Sequence, residues 1–291
     1  MDRHARLGAA IPGYAPGTAV SLPGIWDGLS AQLVEKAGFG AAFLSGGALA
    51  MARHGRPDIG LVTLSELAIT VGLIREISDL PLVVDADTGF GNALNARRTM
   101  RMLENAGASA VQLEDQVFPK RCGHLAGKAI IPCMDYVGKL KAVLDVRRSA
   151  STLVIARTDA RSVEGFGPTM ERAHAYTEAG ADLLFIEGPQ NLEEMQEIGR
   201  VFGPHIPLVH NLVEGAVNPI SGRAELGALG YAIGLHPLLL LHGFIRSAPH
   251  WLDHLAEHGS TTGLGDALAD LGAFNHLLGT AAIISAAQRY E

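Results

Sequence analysis

Short apolar runs alternate with longer stretches of helical periodicity along the whole chain. The runs fall at residues 19–23, 41–45, 82–87, 110–114, 153–158, 183–187, 208–211 and 231–235. Four of them follow a recurring signal, a helical end closed by a glycine: Gly38, Gly107, Gly180 and Gly230. A glycine there suits the left-handed position that terminates a helix. Runs that are apolar throughout, separated by helices, fit a parallel sheet covered on both faces. Eight of them predict an α/β fold closed as a (β/α)8 TIM barrel, with a doubly wound open sheet as the competing arrangement. No linker, charge run or low-complexity segment divides the chain, so residues 1–291 read as a single domain. After Gly259, two glycine-rich turns lead into a stretch rich in Ala and Leu. It predicts a C-terminal helical extension over about residues 260–291, packed on its own barrel or on a partner subunit.

Composition narrows the class. Apolar residues make up 48% of the 291 positions, enough for a sizeable core. A net charge of −7 and an isoelectric point near 5.9 argue against nucleic acid or an anionic membrane as partner. Two cysteines, Cys122 and Cys133, form no disulfide framework and point to a reducing compartment. The start of the chain lacks a signal-peptide apolar region, and no apolar run is expected to reach the ~18 residues of a membrane span. The expectation is a soluble, cytoplasmic protein.

Chemistry concentrates between residues 82 and 128. The run ending in Asp85-Ala86-Asp87 carries two carboxylates at i and i+2, which share one face of a strand. Strand C-termini are where barrels bind ligands, and here they also supply Ser45-Gly46-Gly47, Glu114, Arg157, Glu187 and Asn211. An isolated Asp-x-Asp commonly makes a turn or a helix cap. Glu114 and Glu187 at equivalent strand ends favour a seat for a hard cation, Mg²⁺ with Mn²⁺ as alternative, bound partly through water. Lys120-Arg121-Cys122-Gly123-His124 sets a thiol among cations in a glycine-containing loop. Such surroundings can lower a thiol's pKa and suit a proton donor; the plainer reading of Cys122 is a small buried hydrophobe. Arg157 suits a substrate carboxylate or a developing oxyanion.

Residues 83–92 (Val-Val-Asp-Ala-Asp-Thr-Gly-Phe-Gly-Asn), 112–116 (Gln-Leu-Glu-Asp-Gln), 120–124 and 155–159 (Ile-Ala-Arg-Thr-Asp) resemble the isocitrate lyase/phosphoenolpyruvate mutase superfamily. Leu-Pro-Gly-Ile-Trp-Asp at 22–27 and Leu-Ser-Gly-Gly at 44–47 extend the likeness over roughly residues 18–245. The cysteine loop resembles the carbon–carbon lyase branch. The resemblance implies a (β/α)8 barrel, a loop that closes over substrate, and a homotetramer with exchanged C-terminal helices. It implies Asp85 and Asp87 at the metal, with Asp58 and Glu114, and Glu187 beyond them, around its waters. Ser45, Gly46, Gly47 and Arg157 then hold the carboxylate beside the hydroxyl. Cys122, Gly123 and Asn211 face the leaving carboxylate, and Lys120 and His124 set the thiol's charge state.

Departures from the pattern shape the substrate expectation. Phe43 stands where methylisocitrate lyases have tyrosine, Leu239 at a serine and His242 at an arginine that holds a third carboxylate. The usual Asn-x-Thr-Glu reads Asn211-Leu212-Val213-Glu214. An apolar pocket without that arginine leaves a third carboxylate unpaired, a penalty of several kcal/mol. The expectation is therefore a lyase for 2-hydroxy dicarboxylates of alkylmalate or dimethylmalate type. His236 is either a substrate contact or a packed residue at the barrel mouth. Methylisocitrate lyase and oxaloacetate hydrolase or decarboxylase are alternatives within the superfamily, and a non-catalytic small-acid-binding barrel is the alternative outside it.

Overall fold

The computed structural model describes residues 3–123, 127–215 and 219–290. Eight parallel strands close into a barrel in chain order: β1 Val20–Ile25, β2 Ala42–Leu44, β3 Leu82–Asp85, β4 Ala110–Glu114, β5 Leu153–Thr158, β6 Leu183–Ile186, β7 Leu208–Asn211 and β8 Ile233–His236. The last strand pairs with the first in parallel, from Val20 opposite Ile233 to Pro23 opposite His236. Helices connect the strands, and the four glycines read as helix terminators have φ of 82°, 105°, 105° and 87° at Gly38, Gly107, Gly180 and Gly230.

Several strand limits shift by one or two residues from the sequence expectation, and two of the shifts have a clear backbone cause. β3 ends at Asp85 because Asp87 turns into the left-handed region at φ 47°. Asp85 and Asp87 are therefore not one strand face: the Asp87 N–H donates to Asp85 Oδ1 at 3.2 Å. β8 begins two residues late because the Tyr231 N–H closes the preceding helix onto the Leu226 carbonyl at 3.1 Å.

The helix Arg3–Ala10 plugs the barrel's N-terminal face. Leu7 and Ile11 are buried in one cluster with the barrel-interior residues Leu22, Val83, Ile155, Phe185 and Val209. Arg6 pairs with the buried Asp182, which also receives Arg147 and the Val154 N–H. A second cluster lies between sheet and helices and includes Val84, Val111, Val154, Leu184 and Leu208. With the bottom plugged, the cleft lies at the strands' C-terminal ends.

After β8, the helix Leu239–His258 ends at Gly259, and two short helices follow, Leu271–Leu277 and Thr280–Gln288. The span Gly265–Gln288 reaches a mean hydropathy of 1.4, amending the expectation that no stretch attains membrane-span length and composition. It is not one continuous rod, since Gly279 at φ 67° separates its two helices. Leu271, Phe274, Ile283 and Ile284 on it are exposed.

Candidate active site

The strand ends and the loop after β4 enclose a cleft of about 510 Å³ continuous with solvent. Ser45, Asp85, Arg157 and Asn211 line it from the strand ends, Asp58 from the segment after β2, and Cys122 and Gly123 from the loop. Residues far apart in sequence thus line one cleft. Gly46, Asp87, Glu114 and Glu187 lie immediately around them. A Cβ on Gly46 would stand 3.3 Å from Asp85 Oδ2 and from Asp87 Oδ1, and one on Gly47 would stand 3.3 Å from Asp58 Oδ2. Asp58, Asp85 and Asp87 therefore converge on two glycines that leave them room.

This cluster holds more negative charge than its neighbours balance. The buried Lys120 ammonium lies 2.6 Å from Asp58 Oδ1 and 3.0 Å from Asp87 Oδ1, on the carboxylate side of the cleft. Burial pushes the Asp87 carboxyl up to about 7; Lys120 opposes the shift, while Asp85 and Asp58 add to it. Glu114 is held well above its ordinary range, again by burial first, with Arg157 opposing. Burial works against charge on Lys120, but Asp87, Asp58 and Glu114 outweigh it and raise its pKa.

Arg157 is the second buried cation. Its guanidinium donates twice to Asp159, at 2.9 and 3.1 Å, and lies 3.3 Å from Glu114 Oε2 and 3.4 Å from Glu187 Oε2. Those three carboxylates overcome its burial and hold its pKa well above the usual value. Asn211 Nδ2 donates to Glu187 Oε2 at 2.9 Å, which fixes the amide beside the same group.

The loop is built onto the site by contacts that the sequence did not advertise. The Gln116 side chain donates to the Arg121 carbonyl at 2.8 Å and accepts from the Arg121 N–H at 3.0 Å. The Cys122 N–H donates to the Asp58 carbonyl at 3.0 Å. Lys128 Nζ donates to the Gly123 carbonyl at 2.7 Å. Gly123 packs so closely that a Cβ there would come within 2.7 Å of Arg157 Nη2 and 2.9 Å of the Glu187 carboxyl carbon. His124 lies outside the described residues.

Three expected positions fall elsewhere. His236 Nδ1 faces Glu214 Oε1 at 3.5 Å and is not among the residues lining the cleft. Leu239 is 43% exposed at the start of its helix, so Pro237 and Leu238 supply the apolar wall instead. His242 lies one turn further along that helix, in a separate surface depression with Ile245 and Arg246. The helix begins at Leu239, and no residue of it lines the cleft. Met51, Gln116 and Lys128 were not singled out by sequence reasoning, although Gln116 lay within a recognised motif, and Val213 entered only as a departure from Asn-x-Thr-Glu.

The donor set fits a hard divalent cation. It is oxygen-only, Glu114 Oε1 is buried with no hydrogen bond among the described residues, and the two glycines hold space beside the carboxylates. Among the described residues no three His, Cys, Asp or Glu side chains form a closed chelate.

The plugged (β/α)8 barrel thus carries carboxylates and a buried arginine at the strands' C-terminal ends, with a thiol on the loop after β4. The chain matches the phosphoenolpyruvate phosphomutase family over residues 14–239 and belongs to the phosphoenolpyruvate mutase/isocitrate lyase superfamily. It is 40% identical over 260 residues to 2,3-dimethylmalate lyase of Eubacterium barkeri, covering 89% of each chain. It is 43% identical over 264 residues to 2-methylisocitrate lyase of Aeropyrum pernix, covering 89% of this chain and 83% of that one. Among solved structures, 2,3-dimethylmalate lyase superposes with a TM-score of 0.89 at 30% identity, covering 99% of this chain and 96% of that one. Phosphonopyruvate hydrolase in complex with oxalate and Mg²⁺ gives 0.85 at 26% identity, covering 100% of this chain and 99% of that one.

Proposed function

We propose that this protein is an Mg²⁺-dependent carbon–carbon lyase that cleaves an alkyl-substituted 2-hydroxy dicarboxylate to a 2-oxo acid and a second carboxylate. The observation that carries the reading is the meeting of Cys122 with Asp85, Ser45 and Arg157 in one cleft. The 2,3-dimethylmalate lyase relative supports the substrate class. Asp85 and Asp87, with Asp58 and Glu114 through water, are the residues to hold the cation. When bound, it neutralises their charge and lowers the pKa of a substrate hydroxyl, with Mn²⁺ as a substitute.

The chain's own groups do the rest. Ser45, the Gly46-Gly47 backbone and Arg157 bind and orient the carboxylate next to the hydroxyl. Phe43 carries no acidic or basic atom, so the hydroxyl proton leaves towards the carboxylate cluster. The carbinol carbon becomes a carbonyl as the bond to its neighbour breaks, and the electron pair passes into the enolate of the second carboxylate. Gly123 and Asn211 face that carboxylate, and the Cys122 thiol gives its proton to the enolate carbon. Lys120 offsets carboxylate charge, and the loop, with His124 in it, keeps water from the enolate.

The 2-methylisocitrate lyase relative favours a second reading, a tricarboxylate substrate. The cleft opposes it: its cations among the described residues are Lys120 and Arg157, both already paired with carboxylates. Exposed Leu271, Phe274, Ile283 and Ile284 support packing of the tail on another copy, in a homotetramer. A cytoplasmic setting accords with a working thiol at Cys122.

The test is incubation with Mg²⁺ and a panel of 2-hydroxy acids, followed by detection of 2-oxo acid. Cleavage of alkylmalates, abolished by chelator, is expected. Release of 2-oxo acid from 2-methylisocitrate alone would transfer the assignment to the second reading, and none from any panel member would remove the lyase.

A further inference from the structure

The cleft is divided by the order of strands around the barrel. From β3 to β6 the strand ends are ionic: Asp85 and Asp87, Glu114, Arg157 with Asp159, and Glu187. The remaining arc, β7 through β8 and β1 to β2, presents Val213, Pro237, Leu238, Phe43 and Met51 to the same space, beside the polar Asn211, Ser45 and Asp58. Phe43 lies on β2 and belongs to the barrel-interior cluster, so it forms a rigid floor. Val213 follows β7 and Pro237 follows β8, where Gly24 permits close approach: a Cβ on it would fall 2.0 Å from the Pro237 carbonyl oxygen. That contact fixes the position of the β8 end of the wall.

Met51 differs from the others in how it reaches the cleft. The helix that begins at Gly46 as an α-helix widens into a π-helix over Ala50–His54, then stops at Gly55 with φ 58°. A π turn is rare, is less favourable than the α turn it replaces, and often marks a functional site. Met51 is the second residue of this turn and lines the cleft a few residues after Gly47, which neighbours Asp58. Methionine is unbranched and polarisable, so its thioether adapts to apolar groups of different shape.

We infer that Met51, carried into the cleft by the π turn, is the residue that sets the size of the alkyl substituent the enzyme accepts, by closing the apolar side of the cleft. This inference rests on the lyase reading and adds the residue that determines substrate range. Shortening Met51 lengthens the apolar arc, and a bulkier ring shortens it. One methylene in an apolar pocket changes selectivity by roughly 10–200-fold.

The experiment compares the parent with Met51→Ala, Met51→Phe and Met51→Leu on 2-alkylmalates and 3-alkylmalates from methyl to butyl. In parallel, calorimetric binding of unreactive alkylsuccinates, which lack the hydroxyl, is measured for the same chain lengths. In at least one series Met51→Ala moves the kcat/KM optimum to a longer chain by one or two carbons, with at least a 10-fold gain for butyl over methyl relative to the parent. Met51→Phe moves it to methyl, Met51→Leu keeps the parent order, and the alkylsuccinate affinities follow the same shifts. If the parent cleaves alkylmalates yet all variants keep its chain-length order, Met51 is not the determinant and the lyase reading stands. If the parent cleaves none while alkylsuccinate affinities still shift with residue 51, the lyase reading falls and the apolar arc stands.

Discussion

Lys128 and Asp159 are joined by a hydrogen bond of 2.9 Å across 31 residues of sequence. The same ammonium holds the Gly123 carbonyl, so one side chain ties the cysteine loop to the acid that braces Arg157. Arg157 and Lys128 together keep Asp159 below the usual carboxylate range despite its burial. Replacing Lys128 with Met removes the tie while keeping most of the bulk. Residues 118–123 should then loosen, and kcat/KM should fall by about 10²-fold, as expected for a displaced catalytic group. Faster tryptic cleavage after Arg121 is the independent readout, and unchanged cleavage would count against the tie.

Asp87 gives a pH dependence with a definite sign. Its folded-state pKa of about 7 lies above the ordinary carboxyl value of 3.8, so between them the folded protein binds more protons than the unfolded chain. This contribution to stability is fully present below 3.8 and is lost as pH rises through about 7. A single such proton changes stability by up to about 1.4 kcal/mol per pH unit. Metal-free Asp87→Asn, whose side chain tolerates the left-handed backbone, should lose that fall. Denaturant midpoints of both proteins from pH 4 to 8 measure it, and parallel curves would reject it. Added Mg²⁺ should stabilise the parent more than the variant at pH 8.

For Cys122, the expected signature is kinetic. Cys122→Ser should bind substrate nearly as well as the parent and lose about 10²–10⁴-fold in kcat, as for a positioned general acid. A hydroxyl is close in size to a thiol but far weaker as an acid. Steady-state kinetics on a cleaved alkylmalate decides, and a kcat within about threefold of the parent would show that proton delivery lies elsewhere.

At the opposite face, Leu7 is fully buried against the barrel interior. Leu7→Ala should cost about 2–5 kcal/mol of stability through lost burial and a residual cavity. KM should not change, because the plug lies at the end of the barrel away from the cleft. Denaturant unfolding with parallel kinetics tests both halves.

Much of the barrel was legible because its signals are local. Helix-ending glycines and apolar runs depend on backbone conformation and burial, which a few neighbouring residues dictate. The site was legible only where chemistry sits at a strand end. Asp87 shows the limit: an alternation rule put it on the face of Asp85, but the left-handed turn that ends β3 is a property of the folded loop. Leu239 and Leu238 are adjacent in sequence, yet only Leu238 lines the cleft, since the helix start decides which side chain turns inward. Met51 gave no signal because a π turn has no periodicity of its own in five residues. Lys128 was hidden for a different reason, its role being a contact made only by folding.

Closure of β8 onto β1 brings strand ends distant in sequence into one wall, while the strand ends from Asp85 to Glu187 form most of the opposite, ionic side, joined by Asp58 from the segment after β2. Mutations in the flanks and mutations in the middle therefore fall on different halves of the cleft. A lineage can retune the alkyl group it accepts through changes near residues 51, 213 and 238 while its ionic centre is inherited unchanged. Recombination that exchanges the central segment would carry most of the ionic centre, with its cysteine loop, into a new apolar frame, while Asp58 stays with the flank.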